Sequence, residues 1–574
     1  MTPPAALYPA SFFAVPAVPR SGSLKWLYLL LLSFWITGCA SLPSGVERPV
    51  STALANPAET RLGQIVADRA AKASTRNDSG FALVRSAELA FTSRMTLIKA
   101  AQKTLDIQYY AIFADDTTER LFDALREAAN RGVRIRILLD DFNTTGKNVQ
   151  VLKLAFEKNI ELRLFNPLPG GRGSMFLRIL SNLKDVARMQ RRMHNKIFAA
   201  DNAVAIVGGR NLGETYFGQS EGTNFVDIDL LASGRIVRDL SRSFDQYWNS
   251  PLAYPVQSLM TEEEIKALKP PTQAATTNAQ ASISENSVMQ ASAPQTATNA
   301  ANPTTTERTI TSPNGIITTL PALPDFTRLG LLTWTWAPSV MLVDKPSKIS
   351  ADADSVGESQ DTAVDGLLQL MSQAKTELLI VSPYFVPGER MMSQFAALRQ
   401  RGVRVRVLTN SLASNDAIAA HVGYARYREA LLAMGVELYE MRAEQKGSLR
   451  GFGSVGGSNS DSLGASRASL HAKVVVIDGR LLMVGSMNLD LRSKLQNSEV
   501  AIVIRNRALS AEATHMIEPT LARGAWRVEL VDGQLVWRAP QDSGLEDSST
   551  EPNTSLGRRL LLQLIEPFAP DEML

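Results

Sequence analysis

Cysteine is all but missing from this chain: Cys39 is the only one in 574 residues. Its solitude excludes an intramolecular disulfide and any multi-cysteine zinc site. Histidine is scarce as well, with four copies. An excess of one charge is also absent, since 60 Lys and Arg face 57 Asp and Glu for a net +3, with a pI near 8.8. That balance gives no strong reason to expect nucleic acid, though it is compatible with an anionic lipid surface. Residues 270–313 contain no Leu and no aromatic residue, only Ala, Thr, Asn, Gln, Ser and Pro with a few others. Such a segment cannot bury enough apolar area to offset its ordering entropy, so it reads as a disordered linker or surface insertion. The rest is globular in composition, 45% apolar and 20% charged, and too long for one ordinary domain.

The N-terminal apolar run, Leu27 to Ile36, has ten residues, too few to span a bilayer but suited to a signal-peptide core. It follows Arg20 and Lys25 and closes on Ile36-Thr37-Gly38-Cys39. This ending resembles a bacterial lipobox, in which the Cys becomes the first mature residue and is acylated. An uncleaved short anchor with an incidental Cys39 is the alternative. Either way the body is expected to be exported and membrane-tethered, and several acyl chains would hold it firmly. Ala40, rather than Asp, after the Cys resembles outer-membrane sorting in Gram-negative bacteria. The expected location is therefore the periplasmic face of a membrane, the outer one favoured.

Internal repetition sets the architecture. Arg131-Gly-Val-Arg-Ile-Arg-Ile-Leu-Leu-Asp140 returns as Arg401-Gly-Val-Arg-Val-Arg-Val-Leu-Thr-Asn410, and His194-Asn-Lys-Ile-Phe-Ala-Ala-Asp201 returns as His471-Ala-Lys-Val-Val-Val-Ile-Asp478. Two strings recurring in the same order at nearly the same offset indicate a duplicated domain. In each copy a helical pattern (117–131, then 392–400) precedes alternating β-branched residues, which argues for α/β layers around a buried sheet. The expected segments are a leader (1–39), a tether (40–75), a first half (76–262), a low-complexity linker (263–320), a second half (321–540) and a tail (541–574) with an amphipathic helix. Residues 447–466, rich in Gly and Ser, suggest a mobile loop over the site. Residues 170–192 are basic instead, either a solvated helix face or a lip that attracts anionic headgroups.

Two of the four histidines share one frame: His194-x-Lys196, Asp201, Gly208-Gly209-x-Asn211, and His471-x-Lys473, Asp478, Gly485-Ser486-x-Asn488. Residues two apart on a strand point the same way, so each His and its Lys face one site. Copies folded face to face would gather two His, two Lys and two Asn around one point. Phosphodiester exchange needs that set: a nucleophile, a proton donor for the leaving alcohol, and cations for the non-bridging oxygens. The lysines supply what a metal otherwise would, so neither metal nor cofactor is expected. Asp227 and Glu499 are the expected carboxylates that hold each imidazole in one tautomer, with Asp229 a rival to Asp227. Asp201 and Asp478 are expected to brace the turn that presents the motif. His421 is a possible headgroup contact, and His515 a surface or core residue.

The doubled His-x-Lys-(x)4-Asp frame resembles the defining motif of the phospholipase D superfamily, over roughly residues 80–537. Further strings are similar to its bacterial cardiolipin synthase branch, especially the third type: Asp106-Ile-Gln-Tyr-Tyr110, Ala128-Ala-Asn-Arg-Gly-Val-Arg134, Trp336-Ala-Pro338, Pro383-Tyr-Phe-Val-Pro387 and Thr409-Asn-Ser-Leu-Ala413. The resemblance implies two phospholipase D-like α/β domains packed with pseudo-twofold symmetry around one active site. It implies catalytic His194, Lys196, Asp201, His471, Lys473 and Asp478, with Asn211 and Asn488 on the phosphate. It also implies His194 as nucleophile and His471 as general acid, a choice that the symmetric sequence cannot make. The implied activity is transfer of a phosphatidyl group to phosphatidylglycerol, giving cardiolipin through a phosphohistidine. The alternative is a hydrolase, or an exported phosphodiesterase or nuclease, with water as acceptor. Phospholipids and a membrane surface are the expected partners; no nucleic acid is, and a protein partner is left open.

Overall fold

The computed structural model describes residues 41–73, 78–183, 185–269, 308–311, 317–320, 333–350, 362–444, 467–566, 569 and 571. Pro43–Leu574 forms one compact unit. Cys39 and its leader, most of the linker, and the 447–466 loop lie outside the described residues.

Two nine-stranded sheets carry the fold. The first runs Thr335–Ala337, Ser79–Val84, Asp229–Gly234, Val204–Gly208, Ile197–Ala200, Thr104–Tyr109, Arg134–Asp140, Ile160–Phe165, Ala253–Pro255. The second runs Ser339–Val343, Val500–Arg505, Leu481–Gly485, Val474–Ile477, Glu377–Val381, Arg404–Asn410, Glu437–Met441, Ala525–Val531, Gln534–Arg538. Shifted by one position, the two orders match. Each has a parallel trio (from Thr104–Tyr109 and from Glu377–Val381) beside the antiparallel hairpin that carries a His motif. Pro338 separates Thr335–Ala337, in the first sheet, from Ser339–Val343, in the second. A residue without an N–H is well placed where a strand leaves one ladder for another.

The sheets pack face to face. One apolar cluster joins Ile197, Ala199, Val207 and Leu230 to Val474, Val476, Leu482 and Ile502. Helices cover the outer faces: Asp116–Asn130 places Leu121 and Leu125 with Leu105 and Ile137, and Gly388–Gln400 places Phe395 and Leu398 with Leu378 and Val405. Burial on both sides explains why the hairpin strands Ile197–Ala200, Val204–Gly208, Val474–Ile477 and Leu481–Gly485 are apolar throughout, while Arg134–Asp140 and Arg404–Asn410 alternate Arg with apolar residues.

The first repeated string now has a physical meaning. Gly132 and Gly402 end their helices at φ 93° and 78°, conformations that suit glycine. The next residues, Val133 and Val403, donate back to Ala128 and Leu398, closing a Schellman turn in each copy. Arg131 and Arg401 bond the final carbonyls of a neighbouring helix, Ile98 in one half and Ser372 in the other. Arg136 pairs with Asp106 and Asp245, and Arg406 with Glu377 and Glu518.

The second string ends in a brace. Asp201 and Asp478 adopt φ 51° and 52°. The Asp201 carboxylate accepts the backbone N–H groups of Gln102, Lys103 and Thr104, and Asp478 those of Lys375, Thr376 and Glu377. Each lies at the far end of its strand from the histidine, tying the hairpin to the parallel trio. Asp201→Ala should therefore cost about 2–4 kcal/mol, by stranding the buried Thr104 N–H, losing two further charge-assisted bonds and straining φ. A urea unfolding midpoint unchanged from the parent chain would refute this, and the activity of the remaining folded protein should survive.

Two expected boundaries need correction. The stretch 40–75 is no free tether, because Arg134, Arg136 and Arg163 of the first sheet bond the carbonyls of Thr52, Ser51 and Pro49. Its helix Arg61–Lys72, capped by Thr60, buries Leu62. The first half also runs past residue 262: helix Glu262–Leu268 places Leu268 in the first-half core. Within the expected linker, Arg308–Thr311 pairs antiparallel with Ile317–Leu320. In the tail, Ser555 caps the helix Leu556–Ile565.

Candidate active site

Each histidine is delivered by a segment that the opposite half holds. The His194 N–H donates to the Ser498 carbonyl at 2.9 Å, and the Ser498 N–H returns to Arg192 at 3.0 Å. In the counterpart, Arg467–Leu470 runs parallel to Thr223–Val226, and the His471 N–H donates to Val226 at 2.8 Å. The residue that follows each of these carbonyls is an acid: Glu499 after Ser498, and Asp227 after Val226.

The acids therefore serve crosswise. His194 Nδ1 lies 3.0 Å from both carboxylate oxygens of Glu499, and His471 Nδ1 lies 2.8 Å from Asp227 Oδ2. With Nδ1 engaged by a carboxylate, Nε2 is the nitrogen each ring has left for chemistry. Asp229, the rival to Asp227, pairs instead with Arg94 and Arg210.

The Gly-Gly and Gly-Ser pairs set the two carboxylates differently. A Cβ on Gly209 would sit 2.6 Å from Asp227 Oδ2, so only glycine leaves room there. The equivalent Ser486 donates its hydroxyl to Glu499 at 2.5 Å, and Ser493 adds a second at 3.1 Å. Burial alone would raise Glu499, but His194, Lys196 and Ser486 outweigh it and hold the carboxyl below its ordinary range. Burial pushes Asp227 up, against the pull of Lys473 and Arg210.

Both lysines curl back on their own histidines: Lys196 Nζ donates to the His194 carbonyl at 2.7 Å and Lys473 Nζ to that of His471 at 2.5 Å. Burial pulls Lys196 down to about 7 and Lys473 to about 8. Burial likewise lowers His194 to about 4, with Lys196 and Lys473 both adding to the fall. His471 falls well below its ordinary value through burial, both lysines and His194 itself. Each half's cations thus act on the other half's imidazole, so the four groups share one electrostatic site. Both rings are neutral there at pH 7, with Nε2 unprotonated. A phosphodiester anion entering between the lysines would raise all four values, and so supply the protonated imidazole that a leaving alcohol needs.

Aromatic rings fix the imidazoles from the side. Tyr110 meets His194 edge-on at 5.2 Å between centroids, and Tyr216 meets His471 edge-on at 5.2 Å. Phe225 lies 5.1 Å from His471. Asn211, expected on the phosphate, has protein partners for both polar atoms: its amide donates to the Tyr216 hydroxyl at 2.9 Å, and its oxygen accepts from Ala111 at 3.3 Å. It positions Tyr216, and through it His471. The side-chain oxygen of buried Asn488 has no such partner among the described residues. Asp201 and Asp478 touch no reacting group, because their oxygens are spent on backbone N–H groups. His421 is not a headgroup contact either: it is buried 3.2 Å from Glu551 and 3.1 Å from Arg428. His515 is exposed.

With this geometry, residues 95–248 and 367–520 each match the family model described as cardiolipin synthase, PLD-like domain. The chain belongs to the phospholipase D superfamily, in its cardiolipin synthase branch. It is 34% identical over 481 residues to cardiolipin synthase C of Escherichia coli (strain K12), spanning 83% of this chain and 92% of that one. It is 30% identical over 547 residues to an uncharacterized protein of Helicobacter pylori (strain ATCC 700392 / 26695), spanning 93% and 97%. Its fold is similar to the crystal structure of phosphatidylserine synthase from Haemophilus influenzae Rd KW20, with a TM-score of 0.52 at 13% identity over 88% of this chain and 98% of that one. Within this phospholipase D frame, Tyr216, Phe225 and Ser493 are the supports that motif spacing does not reveal. Tyr216 and Phe225 fall between Asn211 and Asp227, and that interval was the available signal.

Proposed function

We propose that the enzyme is a phosphatidyltransferase that makes cardiolipin from phosphatidylglycerol and a second phospholipid through a phosphohistidine. One observation carries this reading: two imidazoles, each oriented by a carboxylate of the other half, share one buried site with two lysines. His194 Nε2 attacks phosphorus while His471, protonated in the field of the bound diester, gives its proton to the departing headgroup oxygen. The P–N bond forms as the P–O bond breaks, and the headgroup alcohol leaves. A phosphatidylglycerol hydroxyl then loses its proton to His471 and attacks phosphorus, the P–N bond breaks, and His194 is regenerated neutral. Lys196 and Lys473 carry the charge that builds on the non-bridging oxygens.

Family membership and the likeness to cardiolipin synthase C support the lipid substrate. Purified protein in detergent with phosphatidylglycerol alone should yield cardiolipin and free glycerol. Phosphatidic acid as sole product would make it a hydrolase, and no turnover of any phospholipid would end the proposal.

A further inference from the structure

We propose that two exposed apolar elements, one on each half and both at the rim of the site, dock the enzyme on the surface of a phospholipid bilayer. This rests on the phospholipid reading above. The first element comprises helices Met175–Ser181 and Val186–Gln190. Phe176 is 73% exposed, and Leu180, Leu183 and Val186 are exposed beside it in sequence. Single exposed apolar residues are ordinary, but four large ones in one short stretch form a patch that water disfavours.

In sequence, residues 170–192 read as a solvated helix face or a lip for anionic headgroups, and three of the arginines instead turn away from solvent. Arg172 and Arg178 turn inward onto the Asp141 carboxylate, and Arg192 onto Asp140. They clamp the segment from beneath and leave its apolar side chains outside. The clamp sits at the site: Asp140 Oδ2 accepts the N–H of Met193 at 2.8 Å, one residue before His194.

The second element is helix Leu556–Ile565. Leu562 and Ile565 pack it onto Val386 and Val422. Leu556, Leu560 and Leu564 recur every fourth residue and so share a stripe on the opposite side, 69%, 51% and 70% exposed. This helix also reaches the rim. Arg558 Nη2 donates to the Asn415 carbonyl at 2.7 Å, and the adjacent Asp416 carboxylate accepts the Tyr384 hydroxyl at 3.0 Å and acts on Lys473.

A bilayer fits both elements. Arg559 lies beside the leucine stripe, and no residue of 555–565 is acidic. An apolar stripe with a cationic and no anionic neighbour on its helix settles at the boundary between headgroups and acyl chains, and more strongly on anionic lipid. The elements come from opposite halves, one tied through Asp140 to the residue before His194 and the other through Asn415 and Asp416 to Lys473. Docking through both therefore holds the site against the layer that contains the phosphodiester. A protein covering both patches would instead separate the site from that layer.

The test uses the full chain, assayed on phosphatidylglycerol–phosphatidylethanolamine vesicles and on a short-chain phosphatidylglycerol kept monomeric. The pair Phe176→Asp with Leu180→Asp should lower vesicle turnover about tenfold, and so should the pair Leu560→Asp with Leu564→Asp. Both pairs should leave turnover of the monomeric lipid within about twofold, since none of these residues touches the site. In vesicles of brominated phospholipid, the added emission of Phe176→Trp should be quenched. Unchanged vesicle turnover, an equal loss on both substrates, or unquenched emission would each overturn docking. If the unsubstituted chain transfers neither lipid while Phe176→Trp is quenched, the transfer reading falls and docking stands.

Discussion

His194→Ala should abolish transfer, by about 10⁴-fold or more, while His471→Ala should still complete half a reaction. The two substitutions remove equivalent rings from a nearly symmetric site, yet the proposed mechanism asks different things of them. Without His194 there is no atom to accept the phosphatidyl group, so no leaving group restores the rate. Without His471 the missing part is a proton, worth about 10²–10⁴-fold when the leaving oxygen is an alkoxide. A diester with a nitrophenol leaving group needs no proton. On it, His471→Ala should release about one nitrophenolate per enzyme and then stop, because nothing is left to activate the acceptor. The trapped adduct should be labile to acid and stable to base, as a P–N bond is. A nitrophenolate burst from His194→Ala with none from His471→Ala would reverse the roles. Ordinary turnover in both would remove the histidines from the chemistry altogether.

The sequence made much of this legible because its strongest signals were duplicated. Gly132 and Gly402 announce the same helix stop, Asp201 and Asp478 the same brace, and the two His-x-Lys pairs the same entry into a hairpin strand, so each copy checked the other. The acids were legible as residues, and the crossing of their pairing was not. Spacing along a chain carries no information on which of two facing halves a side chain reaches into, and Glu499 is 305 positions from the ring it serves. The bond from Asn211 to Tyr216 was not legible for a related reason. A polar residue at a fixed distance from a catalytic one can as well hold a neighbour, here Tyr216, as hold substrate. The basic stretch before His194 misled most. Arg172, Arg178 and Arg192 look like surface charge until Asp140 and Asp141, some thirty to fifty positions earlier, are brought beneath them. Charge counts along a chain record how many cations there are and nothing of their burial.

The crossed carboxylates lead to the second large effect. Glu499→Gln and Asp227→Asn each keep the shape of the acid and remove its charge, and each should cut turnover by about 10²–10⁴-fold, as loss of an imidazole-orienting carboxylate does elsewhere. The damage should appear on the half that did not mutate. Glu499→Gln, in the second half, should slow formation of the adduct on His194, because Nδ1 loses the partner that keeps Nε2 unprotonated and aimed. Asp227→Asn, in the first half, should spare that step with a nitrophenol leaving group and slow proton transfer through His471, so the nitrophenolate burst survives while steady turnover falls. The two acids are not equivalent in their supports either. Glu499 receives hydroxyls from Ser486 and Ser493, whereas Asp227 lies against Gly209 with no hydroxyl at that position. Removing the Ser486 hydroxyl should accordingly act in the same direction as Glu499→Gln, but more weakly. A glycine-to-serine change at 209 cannot supply the missing bond, since its Cβ would already collide with the carboxylate. If Glu499→Gln impaired only the step assigned to His471, the carboxylates would be serving their own halves. The two-sided site, in which neither half can hold its own histidine, would then be wrong.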